Sequence, residues 1–150
     1  MLKKRLGIEA IERSWGETFM YNYFKIPSSL IIPESVKRIG HWAFSGCLGL
    51  KEVVILNGCT NIECCAFKDC YNLEKIDIPE SVEVIEDFAF KECEKLERIV
   101  AVGLLILKDY AFCGCRRLVD IIIPVNVKSE EYAFSGCKNA EVKYRVRIKC

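Results

Sequence analysis

Apolar and polar positions recur along this chain in one block, clearest in the copy Leu73-x-x-Ile76-x-Ile78-Pro79-x-Ser81-Val82-x-x-Ile85-x-x-x-Ala89-Phe90-x-x-Cys93. Ile76 to Ile78 alternates apolar with polar, the period of a half-buried strand. Pro79 ends that strand, because it brings no N–H to a ladder. Val82 and Ile85, three residues apart, turn the chain across the back of a coil. Ala89, Phe90 and Cys93 then predict a short helical turn with all three on its inner side, and Leu96 closes the coil.

The Ala-Phe-x-x-Cys segment occurs five times, at residues 43–47, 66–70, 89–93, 111–115 and 133–137, and successive phenylalanines are 23, 23, 22 and 22 residues apart. A fixed period of this length marks a solenoid, with each repeat one coil stacked on its neighbours. Like therefore stacks on like. Phe44, Phe67, Phe90, Phe112 and Phe134 form an aromatic spine, and Leu50, Leu73, Leu96 and Leu118 an aliphatic one. Trp42, Phe88, Tyr110 and Tyr132 form a second aromatic column, interrupted by Cys65. No coil covers its own apolar face, so roughly three must stack before any is stable.

The coils are unequal. In the fourth, the run Val100 to Leu107 replaces the Ile-Pro turn and is one residue shorter. In the fifth, Ser129 or Glu130 falls where the third has Ile85, and Ala140 replaces the closing Leu. Such decay suits the neighbourhood of a cap. Upstream, Ile8, Ile11, Trp15 and Phe19 recur at helical spacing. The single domain thus divides into an N-terminal helical cap (1–28), repeats (29–141) and a C-terminal capping strand (142–150). In the last, Val142, Tyr144, Val146 and Ile148 alternate with Lys143, Arg145, Arg147 and Lys149, and the basic face discourages edge pairing.

Composition narrows the partners. The formal net charge of +1 gives no ground for a nucleic-acid or membrane partner, and no stretch is apolar enough to span a bilayer. Residues 74–97 hold nine acids against three lysines, whereas the last thirteen residues hold five cations against Glu141 alone. An acidic middle and a basic end make end-to-end self-association a candidate. The basic opening Lys3-Lys4-Arg5 is followed by Glu9, Glu12 and Arg13, which interrupt a signal-peptide core, so the chain as written reads as cytoplasmic.

Ten cysteines raise the question of a disulfide scaffold. Five of them keep the repeat period, and Cys59 falls where Val36 and Val82 fall, so they read as reduced thiols acting as small core hydrophobes. His41, the single histidine, belongs to an exposed turn. Cys64-Cys65 and Cys113-Gly114-Cys115 are the remaining thiol candidates, and neither has zinc spacing. No catalytic residue, cofactor or metal site is expected. The chain does not read as an enzyme.

The unit resembles the treponemal-type (BspA-like) leucine-rich repeat over residues 29 to about 144, through its period, its Pro turn and its Ala-Phe-x-x-Cys block together. The resemblance implies an α/β solenoid: a right-handed leucine-rich-repeat superhelix with a concave parallel β-sheet, about five coils of 22–23 residues plus end caps. It also implies a protein-binding, non-catalytic module, of a kind usually found at the cell surface or secreted. On the sheet, residues flanking each inward Ile or Val would face a partner. They are Ser29 and Ile31, Glu52 and Val54, Lys75 and Asp77, Arg98 and Val100, and Asp120 and Ile122. One column is charged from Glu52 onwards, and the other is largely apolar except at Asp77. The expected function is rigid presentation of this face to a protein partner; the alternative is a structural spacer or end-to-end self-assembling unit.

Overall fold

The computed structural model describes residues 27–146, which wind as a parallel β-solenoid of about five turns. Six strands lie on its front: β1 (Ser29–Ile32), β3 (Glu52–Ile55), β5 (Lys75–Asp77), β7 (Arg98–Val100), β9 (Asp120–Pro124) and β11 (Glu141–Arg145). Five two-residue strands lie on its back: β2 (Arg38–Ile39), β4 (Asn61–Ile62), β6 (Val84–Ile85), β8 (Ile106–Leu107) and β10 (Lys128–Ser129). The back sheet runs unbroken in the order β10-β8-β6-β4-β2. The front is divided into β1-β3-β5 and β7-β9-β11.

Strand alternation sends Leu30, Ile32, Val53, Ile55, Ile76, Ile99 and Ile121 into the core, where all are buried. The two spines form as expected. Successive Phe rings stack with centroids 5.0 to 5.5 Å apart, and the four closing leucines are fully buried.

Among the described residues there is no helix, so the helical part of the α/β expectation is not found there. The segment expected to be helical is a chain of turns whose N–H groups alternate between two destinations. Ala89, Lys91 and Cys93 donate to the carbonyls three residues back, while Phe90 and Glu92 donate to Ala111 and Cys113 on the next coil. Phe88 (φ 59°) and Glu92 (φ 60°) are left-handed, a conformation that no right-handed helix passes through. The corner thus bonds to its neighbours like a strand while turning like a helix.

The ladder cysteines are free thiols, buried at Cys47, Cys70, Cys93 and Cys115 and half-buried at Cys137, with an added role. Cys70, Cys93, Cys115 and Cys137 donate S–H to the carbonyls of Phe44, Phe67, Phe90 and Phe112 on the preceding coil, at 3.0 to 3.2 Å. Nine cysteines are free among the described residues. The short fourth coil is a built close approach: a Cβ on Gly103 would lie 1.9 Å from the Glu80 carbonyl oxygen. The second coil, which also lacks the Pro turn, has Gly58 2.3 Å from the Glu34 oxygen in the same sense. The helical stripe expected in the N-terminal cap and residues 147–150 of the final strand lie outside the described residues.

Candidate functional site at the divided front sheet

Register decides which front-face side chains meet. Ser29 pairs with Glu52 and Ile31 with Val54; Glu52 pairs with Lys75 and Val54 with Asp77. Beyond the division, Arg98 pairs with Asp120 and Val100 with Ile122, and these pair in turn with Glu141 and Lys143. Ser29, Ile31, Lys75, Asp77 and Arg98 are exposed, whereas Glu52, Val54, Val100 and Asp120 are half-buried.

Ile122 departs from expectation and is buried. The cause is β11, which extends the front sheet as a sixth strand. Lys143, registered beside Ile122, reaches back to Asp120 with Nζ 2.9 Å from Oδ1.

The charges form two separate networks. Lys75 Nζ lies 3.1 Å from Glu52 and 3.3 Å from Asp77. Asp120 lies 2.9 Å from both Arg98 and Lys143, and Lys143 lies 3.7 Å from Glu141. These contacts hold the Lys75 and Lys143 ammonium groups above their ordinary range, through Glu52 and Asp120 respectively. Hydrogen bonding from Lys143 holds Asp120 below its ordinary range.

Lys75 and Arg98 stand one coil apart with no acid between them in their column. Each turns away to its own acids, and like charges facing across a strand pair oppose pairing. A recurring backbone bond fails at the same place. Lys75 N–H donates to Lys51 O at 3.1 Å and Asp120 N–H to Glu97 O at 3.4 Å. No counterpart from the fourth coil reaches Glu74 O.

The division leaves a cleft of about 330 Å³ lined by Lys75, Ile76, Asp77, Ile78, Arg98 and Val100. Of the ten expected residues it gathers Lys75, Asp77, Arg98 and Val100, and leaves out Ser29, Ile31, Glu52, Val54, Asp120 and Ile122. Ile76 and Ile78, largely buried, form a floor that sequence reasoning assigned wholly to the core. One signal in the sequence could have found it: Lys75 and Arg98, adjacent cations in the charged column.

Elsewhere the chemistry is sparse. His41 is exposed, with Nε2 3.4 Å from Glu63, and Arg38 Nε lies 3.3 Å from the same carboxylate. Among the described residues no group of three or more His, Cys, Asp or Glu side chains could hold a metal ion. None forms a helix long and apolar enough to cross a membrane.

Comparison with known proteins agrees with this geometry. The family model for the BspA type leucine rich repeat region matches residues 16–141, in six copies. No curated protein matches the sequence. The leucine-rich repeat protein of T. pallidum superposes with a TM-score of 0.72 at 26% identity, over 77% of this chain and 58% of its own. A leucine-rich cell surface protein of Faecalibacterium prausnitzii gives a TM-score of 0.69 at 33% identity, over 77% of this chain and 32% of its own. The pneumococcal vaccine antigen PcpA gives 0.63 at 27%, over 71% of this chain and 26% of its own. The chain therefore spans between about a quarter and three fifths of the length of these structures.

Proposed function

The chain belongs to the BspA-type leucine-rich-repeat family, and on that premise we propose that it binds a protein partner through the front sheet, centred on the cleft between the third and fourth coils. The observation that carries this reading is the cleft itself. It joins an apolar floor of Ile76, Ile78 and Val100 to a charged rim of Lys75, Asp77 and Arg98. That pairing of a desolvated centre with a polar edge is what protein interfaces use. In this reading the solenoid is a right-handed superhelix with the front sheet concave, and the stacked coils hold the face rigid so that binding orders little. Adhesion or host interaction at a cell surface is the setting it would serve, in keeping with the surface protein among its structural relatives.

The test is charge reversal. Lys75→Glu with Arg98→Glu should abolish capture of the partner from extracts of the source organism or its host, while the fold is retained. Undiminished capture by the folded double variant would end the reading.

A second reading, an end-to-end assembling structural unit, is favoured by β11. Its strand exposes Tyr144 (62%) and Val146 follows it at 76% exposure. Arg145→Glu should change assembly, seen by light scattering, and leave partner capture alone. Capture lost through Arg145→Glu while assembly is unchanged would count against it.

A further inference from the structure

Cys64 and Cys65 form a feature that the binding face does not use. Neighbouring side chains in an extended chain point to opposite faces. Here Cys65 is left-handed (φ 58°), and both thiols come to one side with their sulfurs 3.5 Å apart. Two bonds to adjacent coils fix the pair: Cys64 N–H donates to Glu86 Oε2 at 3.1 Å, and Cys64 O accepts from Trp42 N–H at 3.1 Å. Cys64 is half-buried and open to reagents, while Cys65 lies beneath the surface. Cys65 also occupies the one place in its column where the other coils put an aromatic ring. Half-exposed Trp42, with Lys68 Nζ 5.0 Å from its ring centroid, stands one coil before it, and Phe88 one coil after.

The geometry discriminates among thiol chemistries. A disulfide between neighbours must close across Cα atoms about 3.8 Å apart, below the usual bridging range of about 4.4 Å and up. Structural zinc requires about four ligands, and among the described residues no third His, Cys, Asp or Glu joins the pair. A soft centre about 2.3 Å from each sulfur sets the two sulfurs roughly 3.5–3.8 Å apart, near the spacing already present. A trivalent centre that carries its own third substituent satisfies both the spacing and the ligand count.

We infer that Cys64 and Cys65 form a bidentate thiol site that captures a monosubstituted trivalent arsenical or an equivalent soft, thiophilic centre. The reaction is a condensation without redox change. Both S–H bonds break, two S–As bonds form, and the arsenical oxygen leaves as water with both thiol protons. Arsenic stays trivalent, and its substituent lies towards Trp42.

The probe is phenylarsine oxide, added to the native chain and followed by intact mass and by displacement with competing thiols. Two tethered thiols should hold it about 100-fold or more tightly than one. The wild type should therefore keep the adduct against a monothiol and release it to a dithiol. Cys64→Ser and Cys65→Ser should each lose it to the monothiol, while Cys113→Ser should behave as wild type. Cys64→Ser, at the half-exposed position, keeps the test independent of folding defects at Cys65. Equal retention by wild type, Cys64→Ser and Cys65→Ser would overturn the inference, as would release of the wild-type adduct by monothiol and dithiol at one rate.

Discussion

At the Ala-Phe-x-x-Cys corner every described coil is bonded to the next, whereas on the front sheet the strand ladder stops between the third and fourth coils. Phe44, Phe67, Phe90 and Phe112 each donate N–H to the Ala of the following coil at 2.7 to 2.8 Å, and their rings stack without a gap. The corner is apolar, buried and nearly invariant from coil to coil. The front is half solvated, and its outward residues change sign, size and polarity. Cohesion between coils therefore rests on the corner and the unbroken back sheet, and the front can lose a ladder step without parting the stack. A surface relieved of holding the coils together is free to carry a partner-specific pattern.

The largest expected effect is a direct strike at the corner across the divided boundary. Phe90 is fully buried, with rings 5.2 Å and 5.0 Å away on either side. Phe90→Ala should cost about 3–5 kcal/mol in denaturant unfolding. Phe44→Ala, whose ring has one stacked neighbour among the described residues where Phe90 has two, should cost less. Equal losses would mean that ring stacking from coil to coil adds nothing, and cohesion could not then be assigned to the corner.

Alkali attacks the same corner through its thiols. Burial holds the Cys93 thiol far above the ordinary value of 9.0. Above about pH 9 the unfolded chain releases a proton that folded Cys93 keeps. The stability tied to this thiol is therefore complete below that pH, and is lost above it at about 1.4 kcal/mol per pH unit until the folded thiol itself ionises. Cys59 titrates in the same sense, because burial also raises it. Urea melts at about pH 8, 9 and 10 should fall more steeply for wild type than for Cys93→Ala. Parallel profiles would show that the buried thiol does not couple ionisation to the stack.

A smaller effect is expected at the turn from the front strand of the fourth coil to its back strand. Gly103 leads out of the front strand of the fourth coil against the Glu80 carbonyl. Gly103→Ala forces a Cβ onto backbone that cannot swing aside, and should cost about 1–3 kcal/mol. It should also widen the cleft, so hydrogen exchange at Arg98–Val100 should quicken relative to Asp120–Pro124. An unchanged exchange pattern would place the cause of the division in the charges alone.

The solenoid was legible in the sequence because its determinants are local and repeated. The Phe period gives the coil length, and the alternation around Ile76 gives the strand and its buried face. The left-handed residues were not legible, since Trp42, Phe88 and Tyr110 adopt a conformation usually associated with Gly or Asn. Cross-coil hydrogen bonds from the Trp42 and Phe88 N–H groups compensate two of them, and these exist only after stacking. For the same reason the corner resembled a helix in sequence spacing. Of the ten outward positions five are exposed, four are half-buried and Ile122 is buried, because β11 pairs beside its strand. The cleft itself arises from a relation between two coils, visible in sequence only as Lys75 followed one period later by Arg98.

The smallest expected effect on stability separates the two regions most cleanly. Lys75 and Arg98 are exposed, and their ion pairs with Glu52, Asp77 and Asp120 lie at the solvated surface. Such pairs contribute about 0–1 kcal/mol each. Neutralising both cations as Lys75→Gln, Arg98→Gln loses these pairs but also removes the repulsion between the two cations, and it sets no new acid beside Glu52, Asp77 or Asp120. Unfolding of that chain should therefore stay within roughly 1 kcal/mol of wild type, although partner capture is weakened. Raised salt, which screens exposed charges, should shrink even that difference. A loss as large as that of Phe90→Ala would assign these cations to the cohesion of the coils, and the front sheet would then share the structural work of the corner.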